Sequence, residues 1–354
     1  MKPRIAVLGG GAIGSSVAAD LARIGEDVTL VDQWPAHVEA INTNGLRVVM
    51  SDDDFTVRLP ALHLCDLAFA RETYDLVLLA TKGYDTRWMT ELIQPYLAQG
   101  GMMVGLQNGM GDEDIASIVG RERTLGCVVE LSAEVFTPGL VQRNTTRATT
   151  WLGFGELDGR TSERLLWLQQ LMGCTASVSI TGNVSGAKWT KLVNSSMILS
   201  VFGMLGLQSW QATDRPDVFR LCIQVGRETV AVGAAAGLRL EPIFGFTSEQ
   251  FHGSTDETIE TLLRAVLGHL GPNARKARGV VLQDYAKGRR TEVQALTGVV
   301  VGKGRALGVP TPANAAVLEV NRRIDAGLLQ PDPSNVALAE ALIAAATDAG
   351  GAGA

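Results

Sequence analysis

A glycine-rich turn near the start of the chain constrains its fold more than any other feature. The turn has the pattern G-x-G-x-x-G at Gly9, Gly11 and Gly14, and an apolar, strand-like run at residues 4–8 leads into it. In a dinucleotide-binding fold, the first glycine permits the tight turn, the second lets the backbone approach a pyrophosphate, and the third lets the next helix pack on the strand. The start of that helix then offers free N–H groups and a partial positive charge to the phosphates. The predicted cofactor contacts in this turn are Gly9, Gly11, Ala12, Ile13 and Gly14.

A second predicted strand, residues 28–31, ends at Asp32. A carboxylate at this point can accept hydrogen bonds from both ribose hydroxyls of NAD and would repel the 2′-phosphate of NADP. No Arg or Lys lies between Asp32 and Arg47 to offset that repulsion. The sequence therefore favours NAD(H). The alternative left open is that Asp32 caps the next segment while a distant Arg binds the phosphate of NADP(H).

Composition limits the class of protein. At 354 residues, with 46% hydrophobic and 19% charged residues, the chain suits a globular protein of two domains. The formal net charge of −6 argues against a nucleic-acid partner, which would require a basic face. No apolar run reaches the roughly 18 residues of a membrane span and no leader precedes the first strand, so we expect a cytoplasmic protein with no membrane partner. The cysteines are widely spaced and the histidines show no metal-ligand spacing, which predicts reduced thiols and no metal site.

The N-terminal half alternates strand and helix patterns, which is typical of a parallel sheet with helices on its faces. Residues 46–64 break this alternation and are predicted to form a hairpin-like excursion. The predicted strands are residues 4–8, 28–31, 76–80, 102–105, 124–130, 139–147 and 150–155. The predicted helices among them are residues 15–24, 36–42, 86–97 and 113–118.

Strand patterns almost disappear after about residue 181, and long helical patterns replace them. These predicted helices are residues 184–205, 218–236, 258–267, 292–307 and 312–327. The predicted fold class is a Rossmann-type, doubly wound parallel α/β sheet followed by an all-α domain. We expect a dinucleotide-binding domain at 1–180, a helical domain for substrate binding and dimerisation at 181–345, and a flexible tail at 346–354. The long apolar helices of the second half favour a homodimer.

Two motifs stand where strands of the predicted sheet end. Lys82 follows the third strong strand, and because ligands of open α/β sheets bind at this edge, it is positioned to reach a nicotinamide, a phosphate or a substrate carboxylate. Asn108 lies in a Gln-Asn-Gly turn after the next strand, where its amide can hold a carbonyl or hydroxyl group. The alternatives are a solvated loop lysine and an asparagine that serves only the turn.

Two further motifs lie in the helical half. Lys191 and Ser195 are one helical turn apart, so they share a face. A lysine on the buried side of a helix has its pKa lowered by the loss of solvent, which suits it to general acid work near neutral pH; the alternative is a lysine that points to water. Glu292 follows Gly-Arg-Arg-Thr in the first turn of a predicted helix, where an acidic side chain also interacts well with the helix dipole.

Taken together, these motifs resemble the ketopantoate reductase (2-dehydropantoate 2-reductase) family, from the glycine turn to about Asn321. The spacing of several separate motifs makes the resemblance specific. Beyond the glycine turn, the matching motifs are Lys82, Gln107-Asn108-Gly109, Trp189-Thr190-Lys191-Leu192, Leu282-Gln283-Asp284 with Gly288-Arg289-Arg290-Thr291-Glu292, and the Gly-Val-Pro-x-Pro run from Gly308 to Pro312.

The resemblance implies an NAD(P)H-dependent reductase that converts a small 2-oxo acid to a 2-hydroxy acid. It implies that Lys191 is the general acid that protonates the ketone oxygen as hydride arrives, and that Glu292 contacts both the substrate and this lysine. Asn108 and Lys82 would lie at the boundary between cofactor and substrate. This chemistry is coherent, because an ammonium stabilises the charge that builds on oxygen, and a nearby carboxylate keeps the ammonium protonated until it donates.

Three positions depart from the family pattern. The family typically has an Asn four residues after the catalytic lysine, where this chain has Ser195, with Asn194 one place earlier. It has a Ser that holds the substrate carboxylate where this chain has Val280. It also commonly has an Arg near the second strand for the NADP phosphate, where this chain has Asp32-Gln33-Trp34. The predicted substrate contacts are Lys82, Asn108, Ser195 and Val280.

These departures leave three hypotheses. The first is an NAD(H)-linked reductase of a bulkier or more apolar 2-oxo acid, or an enzyme that oxidises a related 2-hydroxy acid. The second is an NADPH-dependent ketopantoate reductase of pantothenate biosynthesis that tolerates the substitutions. The third is a nucleotide-binding sensor that kept the fold and lost catalysis, against which the retention of Lys191 and Glu292 argues.

Overall fold

The computed structural model describes residues 2–212, 215–241, 255–269 and 278–351. The chain divides into two compact units: Met1–Gln107 with Gly111–Ser185 form the first, and Asn108–Met110 with Gly186–Ala354 form the second. The sequence predicted the domain boundary at residue 180, which is where the last strand ends. The first unit continues through a short loop to Ser185.

The first unit contains all the described strands. In chain order they are β1 (Arg4–Leu8), β2 (Asp27–Asp32), β3 (Leu46–Val49), β4 (Asp54–Val57), β5 (Ala61–His63), β6 (Tyr74–Leu79), β7 (Leu97–Gly105), β8 (Thr124–Glu130), β9 (Ala133–Thr137), β10 (Leu140–Arg143), β11 (Trp151–Glu156) and β12 (Ser177–Ile180). Its helices are α1 (Ala12–Arg23), α2 (Pro35–Asn44), α3 (Thr86–Ile93), α4 (Asp112–Val119) and α5 (Glu163–Met172); α6 (Val184–Asn194) begins in its last residues.

The main sheet has eight strands in the order β12-β11-β8-β7-β6-β1-β2-β5. The six strands from β8 to β5 run parallel, and β11 pairs with β8 in the antiparallel direction. The chain moves outward from β1 on one side through β2 and β5, and on the other through β6, β7 and β8. This confirms the doubly wound sheet, with the change of direction between β1 and β6, where such folds bind their ligands.

A second sheet has the order β4-β3-β10-β9. The antiparallel pair of β3 and β4 confirms the hairpin predicted within residues 46–64, but β5 leaves that hairpin and joins the main sheet. Strand β10 pairs with β3 in parallel although the two are far apart in the chain. The sequence analysis missed β9, which forms an antiparallel hairpin with β10, the next strand in the chain.

A buried ionic cluster joins α1 to the second sheet. The carboxylate of Asp20, 2% exposed, accepts hydrogen bonds from Arg143 Nη1 at 2.6 Å, Arg147 Nη2 at 2.6 Å and Thr175 Oγ1 at 2.7 Å. Arg143 is 1% exposed, and burial lowers the pKa of its guanidinium. A buried charge is tolerated only when it is paired and hydrogen-bonded, so each member of this cluster depends on the others.

Three details of the first unit differ from the predictions. The helix expected over residues 86–97 ends at Ile93, and a one-turn 3-10 helix, Gln94–Tyr96, follows, because Pro95 cannot continue an α-helix. Helix α5, which begins at the hydroxyl cap of Ser162, and strand β12 were both missed.

The regular secondary structure described in the second unit is all helical. Beyond α6, its helices are α7 (Val201–Leu205), α8 (Ser209–Ala212), α9 (Pro216–Ala235), α10 (Asp256–His269), α11 (Val280–Ala286), α12 (Thr297–Leu307), α13 (Pro312–Asp325) and α14 (Asn335–Gly351). The core of this unit lies among α6, α7, α9, α11, α12 and α13. No helix in the described ranges is long and apolar enough to cross a membrane.

Three predictions for the second unit need correction. The single helix expected over residues 184–205 is interrupted by a π-helical segment, Ser195–Ser200. The helix expected from Glu292 begins at Thr297. Helix α14 was missed, and it extends to Gly351, which includes most of the expected tail; residues 352–354 lie outside the described residues.

Candidate active site

The fold itself requires two of the three glycines in the turn between β1 and α1. Gly9 has φ of +107°, donates its N–H to the carbonyl of Val31 at 2.8 Å, and lies so close to Ala80 that a Cβ would be 2.8 Å from its carbonyl carbon. A Cβ on Gly14 would be 1.9 Å from the carbonyl oxygen of Gly9. These two glycines therefore let α1 pack against β1 and β6.

Gly11 is different, because a Cβ at this position would meet no atom within 4 Å. Gly11 is exposed, lies at the N-cap of α1, and no side chain caps the helix there. Ala12 and Ile13 follow in the first turn, half-buried against the core, where backbone N–H groups have no partner within the helix. This bare helix start fits the phosphates of a dinucleotide, since it leaves room and donors where they would lie.

Asp32 lies at the end of β2 and is 9% exposed. Its Oδ2 accepts a hydrogen bond from the Gly10 N–H at 2.5 Å, and its Oδ1 accepts one from the Trp34 N–H at 2.7 Å. The carboxylate therefore holds the glycine turn and the segment that leads into α2. Each oxygen retains a second lone pair that a ribose hydroxyl can use.

Lys82 lies half-buried in the turn after β6, at the same sheet edge as the glycine turn and next to the change of direction. Gln107, after β7, holds this turn by donating from Nε2 to the carbonyl of Thr81 at 2.8 Å and accepting the Thr86 hydroxyl at 3.2 Å. The sequence analysis assigned no role to Gln107. In the structure Gln107 is only 6% exposed, which indicates its role in holding this turn.

The Asn-Gly turn belongs to the second unit. Gly109 has φ of +79°, and a Cβ there would be 2.6 Å from the carbonyl oxygen of Ala295. Asn108 precedes it and is half-buried. Because Ala295 ends a one-turn 3-10 helix, Val293–Ala295, that begins after Glu292, the structure brings the segments of Asn108 and Glu292 together.

Glu292 is 4% exposed and precedes that 3-10 turn, so it does not lie in the first turn of α12. The segment before it is fixed by Thr291, which donates its hydroxyl to Asp325 Oδ2 at 2.9 Å. A one-turn 3-10 helix and the bond from Thr291 to Asp325, in place of a regular helix, therefore set the position of this carboxylate.

Lys191 lies in the last turn of α6 and is half-buried. The neighbouring lysine, Lys188, is more deeply buried at 3% exposed, which the sequence did not indicate. The π-helical segment starts directly after α6, and single π turns often occur at functional sites. Three buried oxygens at this junction, Asn194 Oδ1, Ser195 Oγ and Ser196 Oγ, have no hydrogen-bond partner, and such unsatisfied groups are candidates for contact with a ligand.

The carbonyl groups that the π segment frees are held by neighbouring helices. The Cys222 thiol donates to the carbonyl of Met197 at 3.1 Å, and Asn321 Nδ2 donates to the carbonyl of Ser200 at 3.1 Å. Asn321 Oδ1 accepts the Tyr285 hydroxyl at 2.8 Å, and burial raises the pKa of Tyr285, which keeps this donor protonated. The segment is therefore a fixed part of the second unit.

Val280 is the first residue of α11, half-buried against the core of the second unit. The preceding residue, Gly279, faces the π segment, since a Cβ there would be 3.1 Å from Leu199 Cδ2. The structure thus brings the predicted substrate positions Val280 and Ser195 onto elements that pack together. Across the described part of the chain, no group of three or more His, Cys, Asp or Glu side chains is arranged to hold a metal ion.

Comparison with known proteins adds the decisive observation. A family model described as ketopantoate reductase PanE/ApbA matches residues 5–156, and its C-terminal counterpart matches residues 183–325. The chain belongs to the ketopantoate reductase family. This confirms the resemblance drawn from the motifs and makes the protein an oxidoreductase that uses a nicotinamide cofactor to reduce a 2-oxo acid.

Individual relatives are distant but nearly full-length. The 2-dehydropantoate 2-reductase of Pyrococcus horikoshii is 25% identical over 311 residues, which cover 88% of this chain and 94% of that protein. The PanE/ApbA family ketopantoate reductase from Ralstonia eutropha JMP134 has 26% identity and a TM-score of 0.76, covering 92% of this chain and 99% of that one. A D-mandelate dehydrogenase solved with NADH and anilino(oxo)acetate has 20% identity and a TM-score of 0.79, covering 92% and 99%, and it shows the fold alone.

Proposed function

We propose that this chain reduces the ketone of a small 2-oxo acid other than ketopantoate, with NAD(H) as the favoured cofactor. The observation that carries the cofactor part is the glycine turn. Packing explains Gly9 and Gly14, whereas a Cβ at Gly11 would meet no atom within 4 Å. A backbone kept bare at this one position suits the close approach of a phosphate.

Asp32 supports NAD(H) over NADP(H). Its carboxylate is fixed by the N–H groups of Gly10 and Trp34, so it cannot swing away from a 2′-phosphate without releasing the turn. Residues 33–46 contain no Arg or Lys to bind such a phosphate. The two ribose hydroxyls of NAD can instead donate to the remaining lone pairs.

Within the second unit, we assign the proton transfer to Lys191. The nicotinamide supplies the hydride when it is bound. Lys191 stabilises the negative charge that builds on the ketone oxygen and donates a proton to it. We assign a substrate contact to Glu292, which is buried and precedes the 3-10 turn that packs against the Asn108 turn.

The residues around Lys191 support a substrate other than ketopantoate. Val280 offers no side-chain hydrogen bond where the family has a serine, and it packs against apolar neighbours. Ser195 Oγ and Asn194 Oδ1 remain without partners, so further polar contacts to a substrate are available where α6 meets the π segment. These features favour a bulkier or more apolar 2-oxo acid. The second candidate is ketopantoate itself, which the names of the relatives favour.

Initial rates test this assignment. Oxidation of NADH and of NADPH is measured side by side with ketopantoate and with 2-oxo acids that carry branched or aromatic side chains. We expect NADH to be preferred and a bulkier acid to exceed ketopantoate in kcat/KM. Val280→Ser, which restores the family hydroxyl, should shift the ratio toward ketopantoate, while Val299→Ser serves as a matched control. Efficient turnover of ketopantoate with NADPH selects the second candidate, and nucleotide binding without turnover of any acid indicates a sensor.

We also propose that the first unit holds the dinucleotide, that the second carries the substrate groups, and that the chain forms a homodimer. Light scattering coupled to size-exclusion chromatography measures the assembly directly. A mass of 37.5 kDa would contradict the dimer.

A further inference from the structure

A buried histidine next to the glycine turn has no part in the site described so far. His37, on α2, is 0% exposed and stacks on Trp34 with ring centroids 5.5 Å apart. Its two ring nitrogens meet groups from two different elements. Nδ1 lies 2.9 Å from the N–H nitrogen of Gly139, and Nε2 lies 3.0 Å from the hydroxyl of Ser15.

One backbone group sets the direction of every bond in this chain of contacts. The Gly139 N–H can only donate, so Nδ1 of His37 accepts and the hydrogen of the neutral ring lies on Nε2. Nε2–H then donates to Ser15 Oγ, and the Ser15 hydroxyl donates in turn to the carbonyl of Gly10 at 2.8 Å. This relay of hydrogen bonds, from Gly139 through His37 and Ser15 to Gly10, therefore ends on the glycine turn.

Gly10 is consequently held on both sides. Its N–H is bound by Asp32 at 2.5 Å and its carbonyl by Ser15 at 2.8 Å. The Asp32 bond fixes the peptide that joins Gly9 to Gly10, and the Ser15 bond fixes the peptide that joins Gly10 to Gly11, where a Cβ on Gly11 would meet no atom within 4 Å. Removing the Ser15 bond frees the Gly10–Gly11 peptide to rotate away from the orientation that a phosphate requires.

The other end of the relay is equally rigid. Gly139 forms the turn between β9 and β10 with φ of +74°, and its carbonyl accepts the Arg47 N–H at 2.9 Å. A Cβ on Gly139 would be 3.1 Å from the Cβ of Ala40 on α2. The second sheet thus provides a fixed donor that orients the imidazole ring.

We propose that His37 is a positioning residue for the dinucleotide: acting through Ser15, it holds the Gly10 carbonyl and so presents the turn to the pyrophosphate. This inference rests on the proposed function, because it presumes that a dinucleotide binds at the turn.

Two amide substitutions separate this role from a purely structural one. In His37→Gln the side-chain NH₂ reaches the place of Nε2, which keeps the bond to Ser15 and loses the bond from Gly139. In His37→Asn the side-chain oxygen takes the place of Nδ1, which keeps the bond from Gly139 and loses the bond to Ser15.

The Kd for NADH, measured by isothermal titration calorimetry, is the main readout. We expect His37→Asn and Ser15→Ala each to raise Kd about 3- to 10-fold, as the loss of one hydrogen bond predicts, and the double variant to be no worse than Ser15→Ala alone. We expect His37→Gln to bind NADH as the wild type does, with a lower Tm. Val141→Ala, in the core of β10, is the matched control, which should lower Tm and leave Kd unchanged.

Amide hydrogen exchange of the apoprotein gives a second readout without any nucleotide. Exchange across residues 9–16 should accelerate in Ser15→Ala and His37→Asn and stay at the wild-type rate in His37→Gln. A weaker His37→Gln with an unaffected His37→Asn, or additive losses in the double variant, would overturn the inference. Wild-type protein that binds neither NADH nor NADPH would instead contradict the proposed function, and with it the inference.

Discussion

Adding one methyl group to the glycine turn should impair stability at Gly14 and cofactor binding at Gly11, three residues earlier. In Gly14→Ala the new Cβ would lie 1.9 Å from the Gly9 oxygen, whereas ordinary contact begins at 3.4 Å. Removing an overlap of about 1.5 Å requires α1 to move off β1, which we expect to cost at least about 3 kcal/mol of unfolding free energy. In Gly11→Ala the new Cβ meets nothing within 4 Å.

The stability of Gly11→Ala should therefore stay near that of the wild type. Alanine is a poorer N-cap than glycine by about 0.5–1 kcal/mol, while the loss of backbone freedom in the unfolded chain returns about 0.4–1 kcal/mol. Its cost appears in binding, because the methyl keeps a phosphate from one or two charge-assisted hydrogen bonds worth about 1.5–3 kcal/mol each. NADH affinity should fall at least about 10-fold.

Urea unfolding and calorimetric titration with NADH measure the two effects separately. Each variant is the control for the other, since both replace a glycine by an alanine. A Gly11→Ala protein that is destabilised as much as Gly14→Ala, or one that binds NADH with wild-type affinity, would refute the assignment of the turn to phosphate binding.

Three other predictions follow from the side chains described above. Lys191→Ala should lower kcat by roughly 100- to 10,000-fold while the NADH Kd measured by calorimetry stays unchanged; an unaltered kcat would remove the lysine from the mechanism. Arg143→Met should cost about 3 kcal/mol in urea unfolding because it breaks a buried ion pair, whereas Arg47→Met, which breaks an exposed pair, should cost less than about 1 kcal/mol. Burial and a nearby carboxylate raise the pKa of Cys174 to about 11, so at pH 8.5 it carries little thiolate and iodoacetamide should label it far more slowly than exposed Cys65; equal labelling by mass spectrometry would contradict this.

The parts of the fold that were predictable depend on local sequence. The glycine turn, the strand that enters it and the carboxylate at the end of β2 lie within one short stretch, so their pattern alone indicates the motif. The small second sheet was not predictable, since β3 and β10 pair across a long separation and neither has a distinctive pattern.

The site in the helical unit shows a similar limit. The apolar periodicity of residues 184–205 does not distinguish an α-helix from one that contains a π turn, because both bury the same residues. The identity of Lys191 came from its motif, but the deeper burial of Lys188 depends on tertiary packing. Glu292 was placed in a helix because its surroundings favour one, whereas the Asn108 turn that packs against its segment is far away in sequence.

The buried carboxylate of α1 also bears on how the protein is made. Asp20 precedes its partner Arg143 by 123 residues, and Thr175 follows later still. At about 5–20 residues per second, a ribosome needs roughly 6–25 s after Asp20 to synthesise that arginine. During this interval α1 cannot be buried with its charge neutralised, so the nascent strands have to wait in an open state. We expect the N-terminal unit to close late and in one cooperative step, after Arg143 and Thr175 have both been synthesised.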